Sequence, residues 1–183
     1  MKHDSSEYAE ILAELFVEAV QKSEEKGIAA ACPELTPSLL ACLELVCVSG
    51  SCSVRNVAQG LDISLSAASQ LVDRLVKKNL ATRRENESDR RVIEVELSDE
   101  GIETVKRIRV RRSQWFASVA RRMSAEKRKA FVEGMEEFLL HAVEGSNDVN
   151  KACAMCGRKH VAFCVVNRIR GEIDSTVETV GTG

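Results

Sequence analysis

The chain has 183 residues, with 26 Lys plus Arg against 28 Asp plus Glu and a formal charge of −2. That length suits one domain with an appendage, burying about two-thirds of its unfolded surface without needing disulfides. The composition, 44% hydrophobic and 30% charged with two prolines, excludes disordered, fibrous and all-β chains.

The polar start, Met1-Lys2-His3-Asp4-Ser5, is not a signal peptide, and Asp4-x-x-Glu7 fits a capping box. Tyr8, Ile11, Leu12, Leu15, Phe16 and Ala19 recur at three- and four-residue spacing, which predicts an amphipathic helix over 5–26 closed by Gly27. After a small-residue linker, Thr36 caps and Pro37 opens a second helix. Leu39, Leu40, Leu43, Val46 and Cys47 line it, and Gly50 closes it. Ser53 caps a short helix ending at Gly60. Ser64 caps another over 65–79, with Leu65, Ala68, Leu71, Val72 and Leu75 facing inward. Joined by Gly60-Leu61-Asp62-Ile63, this pair reads as a helix-turn-helix.

The period then changes. Ile93, Val95 and Leu97 alternate with Glu94 and Glu96, as in a half-buried strand. Residues 80–84 are its partner, across the polar loop 85–91, so a β-wing follows the helix pair. Ser98 caps a long helix over 99–122, and Ser124 caps a last one over 125–144. A polar linker at 145–150 leads to a cysteine-bearing tail. The fold class is mainly α with a small β-wing (α+β), a winged helix-turn-helix with flanking amphipathic helices. No apolar run approaches the ~20 residues of a membrane span, so a cytoplasmic protein without a membrane partner is expected.

The small net charge conceals opposed blocks. Residues 1–30 carry three lysines against seven carboxylates, and residues 105–129 carry ten basic groups against one acid. Residues 131–150 have five acids and no lysine or arginine. A basic block of this kind suits a polyanion, although a solvated helix face is the commoner explanation.

These elements and their motifs resemble the MarR family of bacterial transcriptional regulators. The resemblance covers roughly residues 5–145. It rests on SLSAASQLVDRLVKKN from Ser64 to Asn79, followed by Leu80, Ala81 and Arg83. It continues with Ser88-Asp89-Arg90-Arg91 and Val95-Glu96-Leu97-Ser98-Asp99-Glu100-Gly101. It implies a homodimer without enzymatic activity that binds a pseudo-palindromic operator in double-stranded DNA, as a repressor. Residues 1–34 and 98–145 would then supply the dimerisation helices, 35–97 the DNA-binding domain and 146–183 an extra tail. A small-molecule effector would enter between the dimer layer and the DNA lobes.

A recognition helix needs short polar side chains where base edges come close, and Ser64, Ser66, Ser69 and Gln70 meet that need. Gln70 can pair bidentately with adenine. Arg74 would reach DNA or pair with Asp73 or Glu85, and Arg55 is a phosphate candidate. In the resembling family a wing aspartate orients an arginine that enters the minor groove. Asp89 and Arg91 match those positions, with Arg90 beside them. Such a groove concentrates negative potential. Arg83 and Arg84 on the adjoining strand would hold the DNA backbone.

Seven cysteines, an odd number, favour metal, redox chemistry or burial over a disulfide framework. Cys42 and Cys47 read as core residues, and Cys32 and Cys52 as the exposed pair. The tail holds Cys153-x2-Cys156-x3-His160-x3-Cys164. On one helix, Cys156, His160 and Cys164 would share a stripe. The set fits tetrahedral zinc, or an iron–sulfur cluster with His160 or another cysteine as fourth ligand. Metal-free thiol oxidation, or no cofactor at all, remains open. Arg158, Lys159, Arg168 and Arg170 make the tail basic, which opens direct DNA contact. Two competing readings are a zinc-knuckle nucleic-acid module and a Cys-x2-Cys thiol oxidoreductase; the latter lacks a thioredoxin-like βαβ context.

Overall fold

The computed structural model describes residues 5–85, 93–143, 149, 152 and 164–171. The helix α1 spans Ser5–Ala31 and α2 spans Pro37–Ser49. A short strand β1, Ser51–Ser53, precedes α3, Val54–Leu61, and α4, Leu65–Lys77. Strands β2, Ala81–Glu85, and β3, Ile93–Leu97, lead into α5, Asp99–Arg121, and α6, Ala125–Ala142. The sheet has order β1-β3-β2 and is antiparallel throughout. Cys52 stands opposite Val95, and Ala81 opposite Leu97.

Local chemistry sets these boundaries. Thr36, Ser53, Ser64, Ser98 and Ser124 each accept a backbone N–H three residues on, satisfying a donor that the first helical turn leaves free. Asn56 completes a capping box with Ser53. At the other end of α4, Asn79 takes a left-handed φ of 56°, so the helix stops at Lys77 rather than at 79.

Two glycines read as stops are packing positions instead. α1 runs through Gly27 to Ala31, and a Cβ on Gly27 would sit 3.8 Å from Arg111 Cβ on α5. α3 runs through Gly60, where a Cβ would come within 2.7 Å of Leu45 Cδ2 on α2. The turn itself is made by Asp62, in the left-handed region at φ 54°.

The core gathers Leu39, Leu43 and Val46 of α2, Val57 of α3, Val72 and Leu75 of α4, and Val95 of β3. Val105 and Ile108 of α5 close it from the far side. Each such side chain stabilises the fold by about 1.5–3 kcal/mol relative to exposure. Leu65, expected inward, is 55% exposed because it occupies the first position of α4, before that helix meets the core. Ile93 is likewise exposed at the outer end of β3, while Val95 is buried.

The cysteine expectation is half corrected. Cys42 is buried as expected, but so is Cys52, whose strand β1 packs into the sheet. Cys47 and Cys32 are the half-buried pair. Burial pushes the Cys42 thiol up to about 12 and raises that of Cys52.

Much of the basic block on α5 is compensated inside the protein. Arg112 donates to Glu24 of α1 at 3.0 Å and to Glu44 of α2 at 3.2 Å. Arg109 lies 3.7 Å from the same Glu44, and Arg107 holds Glu100 at 2.8 Å. Glu44 is only 5% exposed. Burial raises its carboxyl above the ordinary range against the pull of the two arginines.

Candidate nucleic-acid interface

Helices α3 and α4 pack on each other and on α2, so one side of α4 is fixed in the core. Its other side is free. Ser64, Ser66 and Gln70 are exposed, and Ser69 is half-buried. Ser66, Gln70 and Arg74 are four residues apart in turn, which sets them along one stripe. Ser64 caps the helix by accepting the Ala67 N–H at 3.2 Å, and its own hydroxyl hydrogen remains available. Arg74 is exposed and makes no ion pair among the described residues.

The expected Asp73 partner is different. Asp73 accepts from Arg83 of β2 at 2.6 Å, not from Arg74. Arg83 therefore ties the wing strand to α4, and Arg84 beside it pairs across the sheet with Glu96 at 3.3 Å. Arg83 thereby fixes the wing against the helix, while Arg84 bonds only within the sheet. Arg55 is exposed in the first turn of α3, the helix before α4. Asp89, Arg90 and Arg91 lie outside the described residues, in the segment joining β2 to β3.

Of the four candidate tail ligands only Cys164 is described; Cys153, Cys156 and His160 lie outside the described residues. Cys164 is half-buried and immediately precedes the helical residues 165–171. Its carbonyl accepts the Asn167 and Arg168 N–H groups, so it begins this helix rather than lying within it. Arg168, read as a DNA contact, pairs with Glu136 of α6. His141 Nε2 lies 3.1 Å from Glu137 one turn earlier on α6.

One feature escaped the sequence: the carboxylate Glu44, whose only signal was a charge between Leu43 and Leu45 in an apolar helix. A cavity of about 590 Å³ lies between α1, α2 and α3, where the two parts of the chain meet, and Glu44 helps to line it.

A three-helix core with a strand pair folded against its exposed third helix is a winged helix-turn-helix. A sequence model of the MarR family matches residues 35–93, which span α2 to the start of β3. Residues 35–93 are thus similar to the MarR family, whose members are regulators of transcription rather than enzymes.

The chain is 36% identical over 84 residues to the HTH-type transcriptional repressor MdtR of Bacillus subtilis, covering 46% of this chain and 50% of MdtR. It therefore spans about half the length of that relative. The crystal structure of YusO from Bacillus subtilis superposes with a TM-score of 0.64 at 25% identity, over 77% of this chain and 99% of YusO. FabT of Streptococcus pneumoniae, solved in complex with DNA, matches with a TM-score of 0.62 at 16% identity, over 74% of this chain and 95% of FabT. No helix among the described residues is long and apolar enough to cross a membrane.

Proposed function

We propose that this protein is a transcriptional repressor that binds a pseudo-palindromic operator as a homodimer. The observation that carries the reading is the free polar face of α4, with Ser66, Gln70 and Arg74 in line beside a wing anchored through Arg83. The helix would lie in the major groove with Ser64, Ser66, Ser69 and Gln70 at base edges, and Arg55 and Arg74 on phosphates. The wing residues Asp89, Arg90 and Arg91 would reach the adjacent minor groove. MdtR is a repressor and FabT was crystallised on DNA, which supports the same use here.

The dimer is supported by helices left without a core. α6 has no buried residue, and Val132 and Phe138 on it are exposed, as are Tyr8 and Leu15 on α1. An amphipathic helix gains most of its stability by burying its apolar stripe, and a second copy supplies the cover. A gel shift on duplexes from upstream of the protein's own gene tests the reading. A retarded band that survives excess unrelated duplex is the expected result; equal competition by any duplex would remove it.

The cavity between α1, α2 and α3 has the size of a small-molecule site, and we read it as the effector pocket. For the tail, the proposal is a zinc or iron–sulfur site using Cys153, Cys156, His160 and Cys164. The half-buried Cys164 at a helix start, beside an anchor to α6 through Arg168, is compatible with a ligand held against the dimer layer. A bound zinc would staple the tail; a cluster would make the repressor responsive to oxidants or iron. Anaerobic purification with Fe, sulfide and Zn analysis decides between them, and stoichiometric absence of all three from folded protein would end the metal proposal.

A further inference from the structure

The effector reading of the cavity leaves its ligand open, and the charge of the walls narrows it. Glu24 and Glu25 of α1 and Glu44 of α2 line the cavity, above an apolar floor that includes Ile28, Leu40 and Leu45. Among the described residues no lysine, arginine or histidine lines it. An anion would meet the carboxylate of Glu25, which has no ion pair among the described residues, and those of Glu24 and Glu44, whose partners Arg109 and Arg112 do not line the cavity. A neutral apolar molecule would strip water from Glu25, which has no ion pair among the described residues, and such desolvation is costly. A positive charge carried on an apolar body satisfies both the walls and the floor.

The position of Glu44 gives such a ligand a consequence. Arg112 reaches from α5 to Glu24 within the same helical layer, and to Glu44 in α2, the first helix of the DNA-binding domain. That second bond is a strut between the two parts of the protein. We propose that the cavity binds an amphipathic organic cation, which competes with Arg112 for Glu44 and so loosens the DNA-binding domain from the helical layer. The proposal rests on the effector reading of this cavity. A ligand moves such an equilibrium only through its different affinity for the two arrangements, and competition for one carboxylate supplies that difference.

Calorimetry on the purified full chain, without DNA, tests the ligand class. Tetraphenylphosphonium and tetraphenylborate are matched in shape and opposite in charge. The cation is expected to bind one site per chain, and the anion about tenfold more weakly or worse. Equal or tighter binding of tetraphenylborate, or no binding of either, overturns the proposal. Glu25→Gln, at an exposed position, should keep its fold and weaken the cation about three- to fivefold. An unchanged affinity would place the binding elsewhere and also overturn it. Glu44→Gln should weaken the cation similarly, and Glu25→Gln carries the test alone if that variant does not fold.

A gel shift with and without tetraphenylphosphonium then tests the strut. Release of DNA supports it; binding by calorimetry with unchanged DNA affinity removes the coupling. Cation binding in a protein that shifts no duplex specifically would leave the cavity assignment standing while the repressor reading fails.

Discussion

Gly101 lies in the first turn of α5, where the lack of a side chain lets the backbone of Leu80 pass close by. A Cβ there would stand 2.0 Å from the Leu80 carbonyl oxygen and 3.0 Å from its carbon. The two segments would have to move apart by about 1.4 Å before the contact became ordinary at 3.4 Å. The same carbonyl accepts the Ser98 N–H at 3.1 Å, and Ser98 Oγ donates to Asn79 O at 2.5 Å. The alanine therefore wedges open the junction of α4, β2 and α5 that sets the wing.

Overpacking costs about 1–3 kcal/mol, and a weakened hydrogen bond adds about 1. Better helix propensity returns about 1. Gly101→Ala should thus destabilise the protein by about 1–3 kcal/mol. Gly134 on α6 has nothing within 4 Å of its would-be Cβ, so Gly134→Ala should show only the propensity gain, up to about 1 kcal/mol. Urea unfolding followed by circular dichroism measures both. A Gly101→Ala protein as stable as the parent would refute the close approach and the wing geometry built on it.

Gln70→Ala and Arg91→Ala should each weaken operator binding by about 1–3 kcal/mol with an unchanged circular dichroism spectrum, and Gln70→Ala should also relax base preference within the half-site. Fluorescence anisotropy on a labelled duplex checks both; wild-type affinity would remove the residue concerned from the interface. The Arg107 guanidinium holds the Glu100 carboxyl below its usual range. The unfolded chain therefore takes up this proton first, so the stabilisation is present above about pH 4.5 and fades as pH falls through the lower folded value. Glu100→Gln should flatten the acid limb of melting temperature against pH, and an identical limb would contradict the pairing. With its thiol buried and pushed up to about 12, Cys42 should resist iodoacetamide at neutral pH while the half-buried Cys32 and Cys47 react. Mass spectrometry of the alkylated native protein reads the order, and early labelling of Cys42 would contradict its burial.

Most of the fold was legible because its punctuation is local. A threonine and four serines cap five helices within three residues of themselves, and alternation at 93–97 marks a strand without further help. What escaped depends on distant partners. β1 is three residues long and exists because Cys52 meets Val95, a pairing with no periodicity to announce it. Gly27 and Gly60 resemble helix stops until their neighbours, Arg111 and Leu45, are in place. Glu44 looks misplaced in an apolar helix until α5 brings Arg109 and Arg112 to it.

The candidate site divides in the same way. The exposed serines and Gln70 follow from helical period alone, whereas the pairing of Asp73 with Arg83 rather than Arg74 follows from how β2 returns along α4. Cys52 was misjudged for want of the same sheet.

Selection of tight-binding duplexes from a random library by the purified protein tests the central claim most directly. The expected result is a two-fold symmetric motif whose half-sites lie about 10–10.5 base pairs apart, or a multiple of that, read by α4 from each copy. A pool that enriches no motif, with binding that merely tracks salt, would contradict a sequence-specific repressor.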